Sequence, residues 1–161
     1  MTDFEQIYLA HFRPVCKYVF SLCGDAHLAE EITQEAFYKA MENLHRFDGK
    51  GSLSAWLCQI AKNTYFTHYK KQKRHAPEAE AVPSGEISLE EHFLDRETAQ
   101  RLYQLLHRLE EPYKEVFTLR VFAQLPFSQI GQLFGKTDSW ARLIYHRAKL
   151  SLRRDLNENE L

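Results

Sequence analysis

Apolar residues recur at helical spacing along this chain, and this periodicity limits the possible folds more than any other feature of the sequence. Over residues 4–22 and 28–44, apolar side chains return every three or four positions, the period of a helix with one buried face. The same spacing marks residues 53–61 and 99–109. No alternation of apolar and polar residues, the sign of a strand, competes with it. We therefore expect an all-α protein.

An acidic segment interrupts the helical pattern. Residues 76–86 are rich in Pro, Gly, Ala and Glu and have no apolar period, as in an extended linker. Between residues 76 and 95 the chain has six acidic residues and no Lys or Arg. The sequence thus predicts two small helical domains, over 1–75 and 97–161, joined by an acidic flexible linker over 76–96. An inert solvated tether would have the same composition.

The charge of the chain is separated along its length. The net charge is -1, whereas a domain that grips DNA unaided is often basic throughout. Residues 62–75 nevertheless contain no acidic residue, and residues 136–154 contain six basic residues and only one acid, Asp138. Two basic surfaces are therefore expected on either side of the acidic linker.

Composition also bears on the compartment and on the cysteines. No apolar run approaches the ~18 residues of a membrane span, and the acidic start lacks the pattern of a signal peptide. We expect a cytoplasmic protein without membrane insertion. Three cysteines, Cys16, Cys23 and Cys58, form no C-x-x-C pair, which favours reduced structural thiols over disulfides or a zinc site.

The most informative local pattern is a glycine-containing loop followed by a helix that becomes basic. The loop, residues 46–52, has glycines at 49 and 51, which permit a tight turn or a close approach to a ligand. The helix after it begins with an apolar face and continues with lysines and interleaved aromatic residues. Such a strip suits phosphates and unstacked bases together. A solvated helix end would carry the same charges.

The second domain ends in a pattern typical of a helix-turn-helix. A short apolar helix over 127–134 is closed by Gly135, and Thr137 or Asp138 can cap the longer basic helix that follows. The inward face of this last helix is predicted to contain Ala141, Ile144, Tyr145, Ala148 and Leu152. Its outward face presents long or planar groups able to reach base edges and phosphates. A plain helical packing unit with a charged surface is the alternative.

Nearly the whole chain resembles the extracytoplasmic-function group of bacterial RNA polymerase sigma factors, the minimal members of the sigma-seventy family. Residues 31–37 (EITQEAF) resemble the segment that docks on the clamp coiled coil. Residues 44–63, with LHRFDGKGS followed by WL and IAKN, resemble the promoter-melting segment. Residues 109–117 (LEEPYKEVF) and the helix-turn-helix after them resemble the domain that binds the upstream promoter element. The chain departs from the family pattern at Gln59, residues 134–137, Leu143 and Ile144.

The resemblance implies three sets of functional residues. Core polymerase docking is expected at Glu31, Ile32, Gln34, Glu35 and Phe37. Minus-ten DNA binding is expected at Phe47, Asp48, Lys50, Ser52, Lys62, Asn63, His68, Lys70, Lys71, Lys73 and Arg74. Minus-thirty-five DNA binding is expected at Ser139, Trp140, Arg142, Leu143, His146 and Arg147.

The hypothesis that this chain opens promoter DNA depends on two of these positions. By resemblance, Phe47 and Asn63 contribute to a pocket for a flipped minus-ten base, for which a ring face and an amide are suitable. Packing of Phe47 in the core and a surface position for Asn63 are the alternatives. Phe37 could likewise be a core residue instead of a docking residue.

The function expected from this resemblance is that of a sigma factor and not of an enzyme. The implied partners are the clamp coiled coil and flap of core RNA polymerase, promoter DNA and an anti-sigma factor. No cofactor is expected, because the eight histidines form no metal-binding spacing and no phosphate loop or nucleophile turn occurs. Two alternatives are a helix-turn-helix regulator that binds operators without polymerase and an adaptor that makes only protein contacts.

Overall fold

The computed structural model describes residues 3–47, 49, 52–75 and 96–159. These residues form seven α-helices and one short 3-10 helix, with no strand among them. In chain order the elements are α1 Asp3–Cys23, α2 Ala26–Glu42, the 3-10 helix Leu44–Arg46, α3 Leu53–His75, α4 Arg96–Arg108, α5 Tyr113–Val121, α6 Phe127–Leu133 and α7 Asp138–Asn159. The predicted all-α fold is confirmed for this part of the chain.

The chain divides into two compact units, Met1–Ser84 (unit 1) and Gly85–Leu161 (unit 2). The predicted pair of helical domains is therefore confirmed. Residues 76–95 of the predicted acidic linker lie outside the described residues. The domain limits at 75 and 97 stay a prediction.

A two-residue corner joins α1 to α2. Gly24 has a φ of 71°, which a residue with a Cβ adopts only at a cost, and its N–H donates to the carbonyl of Phe20 at 2.8 Å. Asp25 then caps α2, because its carboxylate accepts from the N–H groups of His27 and Leu28 at 3.0 and 3.2 Å. The apolar faces of the two helices pack on each other directly after this corner.

The core of unit 1 takes large side chains from α1, α2 and α3. Tyr18, Val19, Ile32, Phe37 and Leu57 are each no more than 2% exposed. Burying each of these apolar side chains favours folding by about 1.5–3 kcal/mol. The apolar residues whose spacing predicted the helices therefore also form their buried faces.

The three cysteines lie in this unit, and all are buried and free. Burial raises the pKa of the Cys23 thiol to about 11 and also raises the pKa of Cys16. Since the thiolate is the reactive form, both thiols are held in their unreactive state at neutral pH. This agrees with a structural role.

Unit 2 is built around α7, against which α4, α5 and α6 pack. Four residues of the predicted inward face, Ala141, Ile144, Ala148 and Leu152, are buried, while Tyr145 is half-buried. The Tyr145 ring lies 5.8 Å from that of Phe117 and 5.5 Å from that of Phe127, measured between centroids. Near the other end of α7, the guanidinium of Arg101 on α4 donates to the carbonyl of Leu156 at 2.7 Å.

Two helices end earlier than their apolar stripes predict. Leu44 lies in the 3-10 helix and not in α2, because Asn43 ends α2 by donating its backbone N–H and its side-chain amide to the carbonyl of Lys39. Leu109 follows the last residue of α4, and its N–H turns back to the carbonyl of Leu106 at 3.2 Å. In both cases an apolar side chain extends a buried face just beyond the helix.

Candidate nucleic-acid interface

The first turn of α3, where the predicted melting segment begins its helix, is fixed by two side-chain contacts. Ser52 caps the helix, since its hydroxyl accepts from the N–H of Ala55 at 3.2 Å. Ser54 Oγ lies 2.9 Å from His11 Nδ1 on α1. The start of α3 is thereby tied to α1.

Phe47 lies at the beginning of the predicted loop and packs on α3. Its ring centroid is 5.4 Å from that of Trp56, with the planes tilted by 40°, and its side chain is half-buried. Asn63 is exposed on α3, two turns beyond Trp56 and so on the same side of the helix, about 10 Å along its axis. This arrangement is compatible with a base held between Phe47 and Asn63. Asp48 and Lys50 lie outside the described residues.

Further along α3, cationic and aromatic side chains lie next to each other on the surface. Lys62 Nζ is 6.0 Å from the ring centroid of Phe66, and Lys73 Nζ is 5.9 Å from that of Tyr69. The Tyr65 ring bridges them, 5.6 Å from Phe66 and 6.0 Å from Tyr69. Phe66 and Tyr69 are each 41% exposed, so their ring faces are available to a ligand.

This aromatic strip extends the predicted set of minus-ten residues. Tyr65, Phe66 and Tyr69 were not among the residues predicted to bind DNA, although the sequence has aromatic residues interleaved with the lysines. Their spacing of three and four residues among lysines was a signal that could have identified them. Together with Lys70, which is exposed one turn after Phe66, they form a surface suited to a single strand, with positive charge for phosphates and rings for bases. Lys71 is exposed on the opposite side of α3.

His68 does not belong to this exposed surface. Its side chain is half-buried, and its Nε2 is shielded from solvent with no hydrogen-bond partner among the described residues. It continues the inward face of α3, four residues after Thr64, which is 3% exposed. The shielded Nε2 therefore does not face a DNA phosphate in this structure, and the DNA-binding role of His68 stays a prediction. Arg74 lies in the last turn of α3.

The predicted docking segment on α2 separates into exposed and buried residues. Glu31, Gln34 and Glu35 are exposed, whereas Ile32 and Phe37 are each 2% exposed and belong to the core of unit 1. These two cannot touch a partner without unfolding, so the direct docking assignment of Ile32 and Phe37 is withdrawn. The helical period accounts for the division, since residues 31, 34 and 35 lie opposite the buried stripe.

Two further residues, outside the predicted docking set, lie on the same exposed face of α2. Tyr38 is 60% and Met41 47% exposed, at four and seven residues from Gln34. Aromatic and Met side chains are enriched at protein interfaces. The α2 docking face is therefore defined here as Glu31, Gln34, Glu35, Tyr38 and Met41.

In unit 2, the turn between α6 and α7 depends on two glycines. Gly135 has a φ of 66° with open space around it, in agreement with its predicted role in closing α6. Gly131, within α6, faces the chain before α7, where an added Cβ would lie 2.6 Å from the carbonyl oxygen of Thr137. Thr137 then caps α7 by accepting from the N–H of Trp140 at 3.1 Å. The predicted helix-turn-helix thus places the two helices in close backbone contact.

The outward face of α7 presents most of the predicted minus-thirty-five residues. Ser139, Arg142, Leu143, His146 and Arg147 are exposed. Trp140 is half-buried instead, with its ring 5.2 Å from that of Phe134 at the end of α6. Its main contact is therefore with the turn itself.

Arg142 is held by two neighbours. Its Nη2 lies 3.7 Å from Asp138 Oδ2, and its guanidinium carbon lies 5.7 Å from the ring centroid of Phe127. On the same ring, Arg120 lies at 4.2 Å, while its Nη1 donates to the carbonyl of Leu125 at 3.1 Å. These contacts favour one orientation of the Arg142 guanidinium, whose side chain stays 66% exposed.

Arg147 lies in a different setting. It borders a cavity of about 540 Å³ between the end of α4, the start of α5 and α7. The other lining residues are Leu105, Arg108, Leu109, Glu110, Tyr113, Ser151 and Asp155. Arg147 therefore lies at the side of α7, away from Arg142, which contacts α6.

The described residues contain no cluster of His, Cys, Asp or Glu that could hold a metal ion. Within the same residues, no helix is long and apolar enough to cross a membrane.

Comparisons with known proteins match both units. The family model for sigma-70 region 2 matches residues 7–75, and that for sigma-70 region 4 matches residues 99–152. The RNA polymerase sigma factor YlaC of Bacillus subtilis is 25% identical over 96% of this chain and 92% of its own length. The ECF RNA polymerase sigma factor SigW of the same organism is 25% identical over 97% of this chain and 88% of its own length.

A solved structure is also similar. The sigma factor RpoE from Bartonella quintana, crystallised with the anti-sigma factor NepR, matches with a TM-score of 0.73 and covers 98% of both chains at 21% identity. This likeness concerns the fold.

Proposed function

Because this chain belongs to the extracytoplasmic-function group of the sigma-70 family, we propose that it binds core RNA polymerase and directs promoter recognition, strand opening and the start of transcription. The observation that carries this proposal is the order of its parts. A region 2 match with a basic, aromatic surface on α3 is followed by a region 4 match with a helix-turn-helix. The protein acts by binding, in the cytoplasm with the polymerase.

Docking on core polymerase is assigned to the α2 docking face. Its carboxylates and amide surround the exposed Tyr38 and Met41, and such a mixture of an apolar centre with polar neighbours is typical of a protein interface. The clamp coiled coil is the proposed partner of this face, and the flap is the proposed partner of unit 2. An anti-sigma factor is a further proposed partner, as for the similar RpoE, whose structure contains NepR.

Recognition of the upstream element is assigned to α7. The helix begins at a capped turn and presents Arg142, Leu143 and His146 to a major groove. Arg is the side chain that most often reads guanine, through two hydrogen bonds, and an apolar group such as Leu143 suits a thymine methyl group. Phosphate contacts by the other basic residues fix the register of the helix on the duplex.

Strand opening is assigned to unit 1. Flipping a base out of the duplex costs a few kcal/mol, and stacking on an aromatic side chain returns about 1–3 kcal/mol per base. Phe47 and Asn63 would hold the flipped base, and the aromatic strip of Tyr65, Phe66 and Tyr69 would receive the neighbouring single strand. The lysines of α3 would neutralise its phosphates.

The test is reconstitution with core polymerase. The purified full chain is added to core enzyme on a library of genomic promoters, and run-off transcripts are sequenced. We expect defined start sites that depend on the added chain, and a shift of the selected promoter DNA only when core polymerase is present. A specific shift by the chain alone would support a regulator that acts without polymerase, and the absence of start sites would refute the proposal.

A further inference from the structure

The Asp138 carboxylate has a partner for each of its oxygens at the start of α7. Its Oδ1 accepts from the N–H of Ser139 at 2.9 Å, and its Oδ2 faces the guanidinium of Arg142 at 3.7 Å. The two oxygens therefore serve different partners. One anchors the carboxylate to the backbone, and the other is directed at the predicted base-reading arginine.

On a second side, Phe127 of α6 limits the positions open to the Arg142 guanidinium. The ring lies 5.7 Å from its guanidinium carbon, and the closer Arg120, at 4.2 Å, shares the same ring. Arg120 itself donates to the carbonyl of Leu125, so Phe127 has a second, hydrogen-bonded cation at its ring. Arg142 thus has an anion on one side and an aromatic ring beside it.

This pair contributes little to the stability of the fold. The side chains of Arg142 and Asp138 are 66% and 49% exposed, and ion pairs with such exposure contribute little to stability. An acid in the first turn of α7 is favoured by the helix dipole, which accounts for its presence in the otherwise basic segment 136–154 but not for its orientation toward Arg142. Its position beside Arg142 suggests a role in DNA recognition.

We propose that Asp138 is a positioning residue that sets the base specificity of Arg142. A guanidinium without a fixed orientation can bind any phosphate. Such contacts raise the binding affinity for all DNA sequences alike. A carboxylate next to it disfavours phosphate contacts by repulsion and keeps the planar fork directed at a base edge, where two hydrogen bonds read guanine. This inference rests on the proposed function, because it concerns the same upstream element.

The test compares variants of the full chain, each assembled with core polymerase. The wild-type holoenzyme first selects its upstream element from a promoter library randomised at that element. Affinities are then measured for the selected duplex and for duplexes in which each guanine of the element is replaced. Asp138→Asn keeps an oxygen that can accept from Ser139 N–H but removes the charge. Asp155→Asn makes the same charge change about 26 Å further along α7 and is the matched control.

We expect Asp138→Asn to bind the substituted duplexes about two- to fivefold more tightly, with a smaller change on the selected duplex. The ratio between the two affinities should therefore fall at one guanine position. Asp155→Asn should leave this ratio unchanged. In an Arg142→Ala background, Asp138→Asn should no longer change the ratio, since the residue acts through Arg142.

Three results would overturn the inference. The affinity ratio could be unchanged in Asp138→Asn, it could fall equally in Asp155→Asn, or Asp138→Asn could still lower it in the Arg142→Ala background. Circular dichroism shows whether each variant is folded. If the wild-type holoenzyme selects no upstream sequence, the proposed function itself is wrong. If it does select one and Arg142→Ala loses it while Asp138→Asn behaves as wild type, only the role of Asp138 is refuted.

Discussion

Ser54 Oγ and His11 Nδ1 lie 2.9 Å apart and join the first turn of α3 to α1. Burial lowers the pKa of His11 from its usual 6.5, because the charged imidazolium is less well solvated in the folded protein. The unfolded chain therefore takes up a proton at this position before the folded chain does. The contribution of His11 to the stability of unit 1 should therefore be fully present above pH 6.5 and should decrease as the pH falls toward its lowered pKa in the folded chain.

We expect His11→Gln to weaken this pH dependence. The chain has two tryptophans, so a Trp140→Phe background leaves Trp56 as a fluorescent reporter of unit 1. Denaturant unfolding from pH about 7.5 to about 5.5 should then show a smaller loss of stability for His11→Gln than for its parent. His45→Gln, at an exposed position of the 3-10 helix, is the control. An identical pH dependence with and without His11 would contradict the prediction.

The α2 docking face predicts a separation between binding and folding. Gln34→Ala with Glu35→Ala should weaken competition for core polymerase about tenfold, a change of about 1.4 kcal/mol, with an unchanged circular dichroism spectrum. Tyr38→Ala should have at least a similar effect, since large aromatic side chains often dominate interfaces. Glu5→Ala with Gln6→Ala removes the same groups from α1 and should bind normally. Native competition by the α2 variants would show that docking uses another surface.

Replacement of Phe47 or Asn63 should impair strand opening, a step that follows DNA binding. Holoenzymes with Phe47→Ala or Asn63→Ala should form closed complexes but show weak permanganate reactivity in the minus-ten region. Loss of about 1–3 kcal/mol of stacking shifts the opening equilibrium by about ten- to hundredfold. A pre-melted bubble template should restore part of the Phe47→Ala activity. Native melting by both variants refutes the pocket, and a marked loss of thermal stability favours packing of Phe47 on Trp56.

Arg147 predicts an effect on affinity without an effect on sequence preference. Because it lies at the side of α7 near the end of α4, we expect it to contact a phosphate and not a base. Arg147→Ala should weaken binding to all upstream sequences alike and reduce the slope of log affinity against log salt by about 0.9. Arg142→Ala is the comparison, since its loss should depend on the base sequence. Relaxed base preference in Arg147→Ala would contradict this assignment.

Replacement of Gly131 should strongly reduce the stability of unit 2. Gly131→Ala would place a Cβ within 3 Å of three backbone atoms of Lys136 and Thr137, so the turn must open, at a cost of about 1–3 kcal/mol. Trp140 fluorescence in a Trp56→Phe background reports this unit. Gly135→Asn should cost less, because its surroundings are open and asparagine tolerates a positive φ. Equal stabilities of the two variants would argue against the close contact.

The sequence was sufficient for features that depend on periodicity along one helix. The apolar stripes placed α1, α2, α3 and α7 and their buried faces. The same period, applied as far as His68, would have shown that this residue follows Thr64 on the inward side. Ile32 also belonged to the apolar stripe of α2, but the family motif treats residues 31–37 as one segment.

Contacts between different helices could not be predicted from the helical periodicity of the sequence. The requirement for glycine at 131 arises from the approach of the chain before α7, and the orientation of Arg142 arises from Phe127 on another helix. No sequence pattern reports such distances. The His11–Ser54 contact, between residues 43 positions apart, is of the same kind.

Pro14 lies inside α1 and divides it into two parts with different surroundings. Every side chain from residue 3 to residue 14 is at least partly exposed, whereas seven of the nine from Val15 to Cys23 are buried. Proline has no N–H to donate to the carbonyl four residues earlier, so the hydrogen-bond ladder is weakest where burial ends. We therefore expect amides before Pro14 to exchange with solvent through local opening, whereas those after it should exchange only when unit 1 unfolds. One continuous helix should thus show two rates of hydrogen exchange.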